Sequence, residues 1–203
     1  MPFNNIMSEN EISPDPFTQF DIWYTERLRT GIEVPDAVIL GTSTSSGRVS
    51  VRVVLLKEYN EKGFVFYTNY QSRKARHLRS NHHAAFVFYW PESKRQIRIE
   101  GVIIKVEDEE SDEYFKTRPR ESQISAWASE QSSVIPGYSY LEKQFKAFDT
   151  KFSGKSVPRP DQWGGFRLIP TWFEFWQEGD FRLHDRLTYT KKGKSWVINR
   201  LAP

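Results

Sequence analysis

Apolar residues recur with two different periods along the chain, and the change of period separates helical segments from strand-forming ones. Near the N-terminus the apolar residues follow helical spacing; they are Phe17, Phe20, Trp23, Tyr24 and Leu28. We predict an amphipathic helix that begins at the N-cap candidate Asp15, with Pro16 at its first position, and ends at Gly31,. Residues 1–14 are polar and lack this period, which predicts a flexible N-terminal arm,.

From residue 37 onward, short runs of β-branched and aromatic residues alternate with turn residues, a pattern typical of antiparallel strands. The predicted strands cover 37–42, 49–57, 64–68, 84–90, 95–106, 166–169, 172–177, 187–190 and 195–201. Helices are predicted over 73–78, 109–117, 120–130 and 139–152, with Ser72 as an N-cap and Pro119 as a break,. The chain is therefore predicted to be mainly β with peripheral helices, and a barrel fits this pattern best.

Composition excludes several classes of protein. The 203 residues fit one domain, and the absence of cysteine excludes disulfides, zinc–thiolate sites and thiol nucleophiles,. A net charge of +3 argues against a nucleic-acid partner, and no apolar run is long enough to span a membrane,. The N-terminus does not resemble a secretory signal, so we expect a cytoplasmic protein. The 15 Phe, 9 Tyr and 7 Trp residues can fill a core, form an oligomer interface or line a pocket for a flat ligand,.

A first group of cationic and hydroxyl side chains gathers at strand ends and at a predicted helix start. Its members are Arg52, Lys57, Tyr67, Thr68, Ser72, Arg73 and Lys74. Backbone N–H groups at a helix N-terminus, joined by Arg and Lys, form a phosphate socket. The alternative is a solvated basic helix face.

A second group, Tyr114, Arg118 and Ser122, has a spacing that keeps its side chains near one helical face,. This group is also of anion-binding type, and the alternative is a surface ladder. A third group, Arg182, His184 and Arg186, would share one face if this segment were extended,. Three such groups would repel each other unless a ligand supplied acceptors; the alternative is isolated surface charge.

The sequence lacks a nucleophile elbow, a Rossmann or P-loop glycine pattern and a convincing set of metal ligands,. We therefore expect no metal, and we expect a cofactor to supply redox chemistry on a phosphorylated substrate.

Several stretches, in the same order, resemble the pyridoxine/pyridoxamine 5′-phosphate oxidase family. They are Arg52–Lys57 (RVVLLK), Phe66–Lys74 (FYTNYQSRK), Arg95-Gln96, Tyr114–Gln123 (YFKTRPRESQ), Ala126–Ser132 (AWASEQS), Trp163–Gly165 (WGG) and Glu174–Arg186 (EFWQEGDFRLHDR). The resemblance covers about residues 15–203. It implies a single FMN-binding split β-barrel oxidase domain over that range, in a homodimer with FMN at the subunit interface.

The implied reaction is the oxidation of pyridoxamine 5′-phosphate and pyridoxine 5′-phosphate to pyridoxal 5′-phosphate. Dioxygen would accept the electrons and give hydrogen peroxide, and the amine substrate would also release ammonia. Two alternatives stay open: a related FMN oxidase with another substrate, such as a phenazine precursor, and a non-catalytic protein that binds flavin or pyridoxal phosphate.

The resemblance also implies site residues. FMN would be bound by Arg52, Val53, Leu55, Leu56, Lys57, Tyr67, Thr68, Arg73, Lys74, Gln96, Gln131, Ser132, Trp176 and Arg186. The substrate would be bound by Lys57, Tyr114, Arg118, Ser122, Arg182 and His184. The catalytic residues would be Arg182 and His184, which close over the pyridine ring. Arg52 and Lys57 are an odd number of residues apart, so a regular strand would send them to opposite faces.

The chain departs from the family pattern in four places. Residues 1–20 lack the Arg-x-x-Tyr pair that covers the substrate in many members. Ser125 stands where glycine is common, Pro136–Tyr138 replaces a Ser-Arg-type stretch, and Glu178 follows Gln177 where glycine is usual.

Overall fold

The structure is a computed structural model that describes residue 7 and residues 12–203. Most of the arm predicted over 1–14 therefore lies outside the described residues. Within its described part, the carbonyl of Ser13 accepts a hydrogen bond of 2.8 Å from the hydroxyl of Tyr189. This contact ties the start of the domain to the C-terminal hairpin.

The described chain forms helices around one sheet. The helices are α1 (Pro16–Leu28), α2 (Arg73–Ser80), α3 (Asp108–Thr117), α4 (Arg120–Ala128) and α5 (Tyr138–Lys151). The strands are β1 (Ala37–Ser43), β2 (Val49–Leu55), β3 (Glu58–Asn60), β4 (Gly63–Asn69), β5 (His83–Trp90), β6 (Arg95–Lys105), β7 (Trp163–Gln177), β8 (Asp185–Lys192) and β9 (Ser195–Leu201). A short 3₁₀ turn spans Asp180–Arg182.

The strands form one antiparallel sheet in the order β2-β1-β5-β6-β7-β4-β3, and β8 and β9 continue from β7. The first half of β7 pairs with β4 and the second half with β8, while β6 pairs along nearly all of it. Because one long strand serves both parts of the sheet, the sheet curls into a half-barrel. The prediction of a mainly β protein with peripheral helices is confirmed.

Three of the predicted strands differ from the structure. The strand predicted over 49–57 ends at Leu55, because the chain changes partner there: the Lys57 N–H donates to the carbonyl of Val65 in β4. The strands predicted over 166–169 and 172–177 are one strand, since the register shift opposite Glu100 absorbs the irregularity around Pro170,.

Aromatic side chains fill the core inside the half-barrel. Asp15 caps α1 by accepting from the N–H of Thr18 at 2.9 Å, as the sequence predicts,. The helix then buries Phe20, whose ring lies 4.9 Å from that of Phe64 and 5.2 Å from that of Phe88. Edge-to-face packing of this kind stabilises the contact of α1 with the sheet. In the described part of the chain, no helix is both long and apolar enough to cross a membrane.

Candidate active site

A cavity of about 790 Å³ opens between β2, β4 and the helices α3 and α4. Its lining residues are Arg52, Val53, Val54, Leu55, Lys57, Tyr67, Thr68, Asn69, Lys74, Tyr114, Thr117, Arg118, Pro119, Ser122, Ser125, Ala126, Ser129, Gln131 and Trp163. This set contains four Lys or Arg residues and no Asp or Glu. The cavity therefore has the chemistry of an anion-binding site. It brings together the second group from the sequence and, except for Ser72 and Arg73, the first group.

The first anion-binding region lies where α2 begins. Ser72 accepts from the N–H of Ala75 and so caps the helix, as predicted. The ammonium group of Lys74 donates to Thr68 Oγ1 at 3.0 Å and to Gln131 Oε1 at 2.9 Å. Burial, together with the nearby charge of Arg52, lowers the pKa of Lys74 to about 8. An anion in this region would relieve that unfavourable concentration of positive charge.

Arg52 is held from inside the half-barrel. Its Nη1 donates to the carbonyl of Leu40 at 3.0 Å and to Thr42 Oγ1 at 2.7 Å. Burial, reinforced by the charge of Arg73, lowers the pKa of Arg52. Arg52 and Lys57 both line the cavity because β2 ends between them, so the expected conflict of strand faces does not arise.

The second anion-binding region lies at the junction of α3 and α4. Pro119 separates the two helices, as predicted, and Tyr114, Arg118 and Ser122 all face the cavity. Within the described residues, the side chains of these three make no hydrogen bond, and Nη1 of Arg118 is buried without a partner. Burial lowers the pKa of Arg118. A buried cationic donor without an acceptor is costly unless a ligand supplies one.

Lys57 differs from Arg118, because its ammonium group forms an ion pair of 2.6 Å with Asp36. Six residues of the predicted cofactor set do not line the cavity; three of them, Leu56, Arg73 and Ser132, are close in sequence to residues that do line it. The side chain of Leu56 is buried in the core, and Arg73 begins α2 directly before Lys74.

A separate surface carries the rest of the predicted site residues. Gln96, Trp176, Arg182, His184 and Arg186 do not line the cavity of their own chain. Gln96 pairs with Trp176 across β6 and β7, and Trp176 pairs with Arg186 across β7 and β8. The His184 ring lies 4.7 Å from the ring of Trp176. These residues therefore form a set apart from the cavity, which we call the Trp176 set.

Arg186, in the Trp176 set, has an acidic partner that we did not predict from the sequence. Glu174 is buried, and it accepts from Arg186 Nε at 2.7 Å and from Arg98 Nη1 at 2.8 Å. Arg186 Nη1 also donates to the carbonyl of Ala202 at 2.9 Å. The guanidinium group is thus fixed in the sheet and at the C-terminus.

The extended conformation considered for 182–186 is wrong. Phe181 and Arg182 have φ values of 55° and 64°, in the left-handed region that non-glycine residues rarely adopt,. A Cβ at Gly179 would lie 2.1 Å from the carbonyl oxygen of Leu183. This tight loop turns Arg182 out of the strand, so Arg182 and Arg186 do not share a strand face.

Two departures from the family pattern are accounted for by local contacts. Glu178 forms an exposed ion pair of 3.0 Å with Lys94. The hydroxyl of Ser125 donates to the carbonyl of Glu121, one helical turn earlier, at 2.8 Å.

Trp163 has no predicted role, although the Trp-Gly-Gly stretch is part of the family resemblance. This side chain lines the cavity, and its ring stacks on those of Tyr67 and Tyr114 at centroid distances of 5.3 and 6.2 Å. The missed indication was a large aromatic residue directly before two glycines. A Cβ at Gly164 or Gly165 would lie within 2.6 Å of a neighbouring side chain.

Solved structures define the class of fold. PhzG from Burkholderia lata 383, solved with tetrahydrophenazine-1-carboxylic acid, superposes with a TM-score of 0.91 at 30% identity and covers 98% of both chains. A pyridoxamine 5′-phosphate oxidase-related, FMN-binding protein from Nostoc punctiforme PCC 73102 has a TM-score of 0.71 at 16% identity, over 95% of this chain and 100% of its own. The fold is the split barrel of pyridoxamine 5′-phosphate oxidase-related proteins.

Family models and relatives agree on the family. Residues 24–152 match the pyridoxamine 5′-phosphate oxidase model, and residues 163–203 match the pyridoxine 5′-phosphate oxidase C-terminal dimerisation region. The pyridoxine/pyridoxamine 5′-phosphate oxidase of Burkholderia mallei (strain SAVP1) is 50% identical, over 95% of this chain and 91% of its own. That of Rubrobacter xylanophilus is 48% identical, over 97% and 91%. The chain belongs to the pyridoxine/pyridoxamine 5′-phosphate oxidase family, and it is an oxidoreductase whose C-terminal region supports a homodimer.

Proposed function

We propose that this protein uses FMN to oxidise pyridoxamine 5′-phosphate and pyridoxine 5′-phosphate to pyridoxal 5′-phosphate, with dioxygen as the electron acceptor. Hydrogen peroxide would form in both cases, and ammonia in the case of the amine. The observation that carries this proposal is the group of donors without acceptors formed by Tyr114, Arg118 and Ser122 in a cavity without acidic residues. A phosphate group supplies several acceptor oxygens and negative charge, which matches this set.

The donors around Lys74 fit the phosphate end of FMN. Thr68, Lys74 and Gln131 form one hydrogen-bonded group beside the guanidinium of Arg52. We propose that this group, with Arg73 at the start of α2, holds the FMN phosphate. When bound, FMN would accept a hydride from the C4′ carbon of the substrate and pass the electrons to dioxygen.

The Trp176 set (Gln96, Trp176, Arg182, His184 and Arg186) would complete the site across a dimer interface. Four of its five members, Trp176, Arg182, His184 and Arg186, lie in the region 163–203 that matches the dimerisation model. We propose that these residues of each protomer complete the cavity of the partner. There Arg182 would orient the substrate ring and stabilise developing charge, and His184 would assist orientation or proton movement.

An apolar row on β2 supports an interface beside the cavity. Val49, Val51 and Val53 are 72%, 65% and 61% exposed, and the intervening Arg52 reaches the cavity. Contiguous exposed apolar side chains of this kind mark protein–protein contacts. A second protomer seated on this row would lie close to the proposed FMN site.

The likeness to PhzG is the observation behind the alternative function, oxidation of a phenazine precursor. Such a substrate carries a carboxylate and no phosphate, so it would leave part of the Tyr114, Arg118 and Ser122 socket without acceptors. We therefore favour a phosphorylated substrate.

Purified protein provides the test. We expect a yellow protein whose flavin absorbance bleaches when pyridoxamine 5′-phosphate is added anaerobically, and which forms pyridoxal 5′-phosphate in air. Pyridoxamine without its phosphate and tetrahydrophenazine-1-carboxylic acid should be much poorer reductants. Bleaching by the phenazine compound alone would favour the alternative. A flavin that neither pyridoxamine 5′-phosphate nor the phenazine compound reduces would contradict the oxidase proposal.

FMN affinity should fall with rising pH because of Lys74. The free protein loses the Lys74 proton above a pKa of about 8, whereas an FMN phosphate favours the charged form. Below this pKa the affinity should be constant, and above it the FMN dissociation constant should rise by up to about tenfold per pH unit. Quenching of FMN fluorescence by the apoprotein between pH 6.5 and 10 measures this.

Two variants control for the titration of other groups. Lys74→Arg should remove the step near pH 8, because arginine stays charged over this range. Lys62→Arg, in the exposed turn before β4, should leave the step in place. A step of unchanged size in Lys74→Arg would show that another group controls FMN binding.

A further inference from the structure

The Arg118 guanidinium group rests on aromatic rings. Its Cζ lies 4.6 Å from the ring centroid of Trp163 and 5.4 Å from that of Phe115. Within the described residues, its side chain makes no hydrogen bond or ion pair, and its Nη1 is buried. The position of the group is therefore set by π faces, and its N–H donors are left for a ligand.

Trp163 is fixed more firmly than the arginine that it supports. It is 7% exposed, and its backbone N–H donates to the carbonyl of Pro160 at 2.9 Å. Its carbonyl accepts from Arg159 Nη1 at 2.8 Å, and the ring of Phe115 meets it edge-on at 5.1 Å. A side chain held at the backbone and at the ring edge is a rigid platform.

The same platform carries Tyr114. The rings of Tyr114 and Trp163 are nearly parallel, at 4°, and the ring of Tyr67 packs against both. Trp163 thus contacts Arg118 directly. Tyr114 stacks most closely on Tyr67, at 4.0 Å, and Tyr67 stacks on Trp163 at 5.3 Å. Motion of Trp163 would therefore affect Arg118 directly and Tyr114 through the ring of Tyr67.

An aromatic support differs chemically from the acidic support used elsewhere in this protein. Arg186 is held by the buried carboxylate of Glu174, and Arg159 by Asp108 and Asp112. A carboxylate occupies N–H donors and neutralises the charge, which would weaken the binding of an anion. The indole ring does neither, so Arg118 keeps its full charge and its donors.

We propose that Trp163 is a positioning residue for the phosphate group of the substrate and acts through Arg118 and Tyr114. This inference rests on the proposed function, because it assumes that the Arg118 socket receives the substrate phosphate. It predicts that loss of the indole ring weakens binding of the phosphate group and leaves the chemical step at the flavin nearly unchanged.

The test compares Trp163→Leu with Trp163→Phe in the FMN-loaded homodimer. Loss of a desolvated cation–π contact should raise the KM for pyridoxamine 5′-phosphate by about 10-fold to 30-fold, with kcat within about threefold of wild type. Trp163→Phe, which keeps an aromatic face, should recover most of this loss. Trp196→Leu removes a cation–π contact of similar distance, 4.5 Å, to the exposed Lys191 outside the cavity, and should not change KM.

Calorimetric titration with inorganic phosphate separates this inference from the proposed function, because it needs no turnover. FMN-loaded wild type should bind phosphate, and Trp163→Leu should bind it about 10-fold more weakly. In an Arg118→Ala background the same change should cause a clearly smaller loss, because only the path through Tyr114 remains. An unchanged KM and phosphate affinity in Trp163→Leu would overturn the proposal. So would a loss in which KM, FMN content and melting temperature change together and phenylalanine restores none of them.

Discussion

Replacing Arg118 with alanine is expected to raise the KM for pyridoxamine 5′-phosphate by about 100-fold, since charge-assisted hydrogen bonds to an anion contribute about 1.5–3 kcal/mol each. Arg118 has a buried donor without a partner and lies beside Tyr114 and Ser122 in the cavity. The FMN absorbance per subunit should stay that of wild type, because the proposed flavin phosphate socket is built on α2. Steady-state kinetics with increasing substrate measure the effect.

Arg118→Lys refines this expectation, because lysine keeps the charge and loses the two-pronged geometry of the guanidinium. Its KM should fall between those of wild type and Arg118→Ala. Arg79→Ala, on the exposed surface of α2, serves as a control and should leave KM unchanged. An unchanged KM in Arg118→Ala would remove this residue from the substrate site.

The second large effect is expected for Arg182→Ala, which should lower kcat/KM for pyridoxamine 5′-phosphate by about 10²-fold to 10³-fold with FMN still bound. This is the typical loss when one group that stabilises charge in the transition state is removed. Arg182 is placed by the loop between Gly179 and His184, outside the region that would hold the flavin phosphate. Single-turnover reduction of the flavin under anaerobic conditions measures the step directly.

The backbone at Arg182 needs its own control, because its φ of 64° is a conformation that glycine adopts more readily than alanine,. Arg182→Gly removes the side chain and relieves the backbone, so it should lose as much activity as Arg182→Ala. Near-normal turnover in both variants, with FMN bound, would show that Arg182 has neither of the proposed roles.

Local rules account for the parts of the fold that the sequence predicts well. Asp15 and Ser72 cap their helices because a short polar side chain before an apolar period satisfies free N–H groups,. Pro119 divides α3 from α4 because it cannot occupy a helix interior,. These contacts join residues close in sequence, so one stretch of chain contains the whole cause.

Long-range pairing accounts for the parts that were wrong. The end of β2 depends on a hydrogen bond from Lys57 to Val65 in another strand. The continuity of β7 past Pro170 depends on a register shift in its partner β6. Neither partner is visible in the local pattern of apolar residues.

The candidate site shows the same contrast between features with local causes and features with long-range causes. The first group is visible in the sequence because its cations and hydroxyls stand at strand ends and at a helix start. Tyr114, Arg118 and Ser122 are visible because their spacing follows the helical period. The left-handed conformation of Phe181 and Arg182 was missed, because it is imposed by the close approach of Gly179 to Leu183. The role proposed for Trp163 depends on ring contacts that residue type alone does not specify.

The alternation of side chains along β2 has a consequence for how the enzyme would respond to concentration. Arg52 lines the cavity of the proposed flavin site, while Val49 and Val51 are exposed outside that cavity, on the row where a second protomer would bind. If residues of the partner protomer complete each FMN site, as proposed above, FMN binding and subunit association are linked equilibria, and each strengthens the other. Dilution of the enzyme would then release flavin, and saturating FMN would shift the monomer–dimer equilibrium toward the dimer.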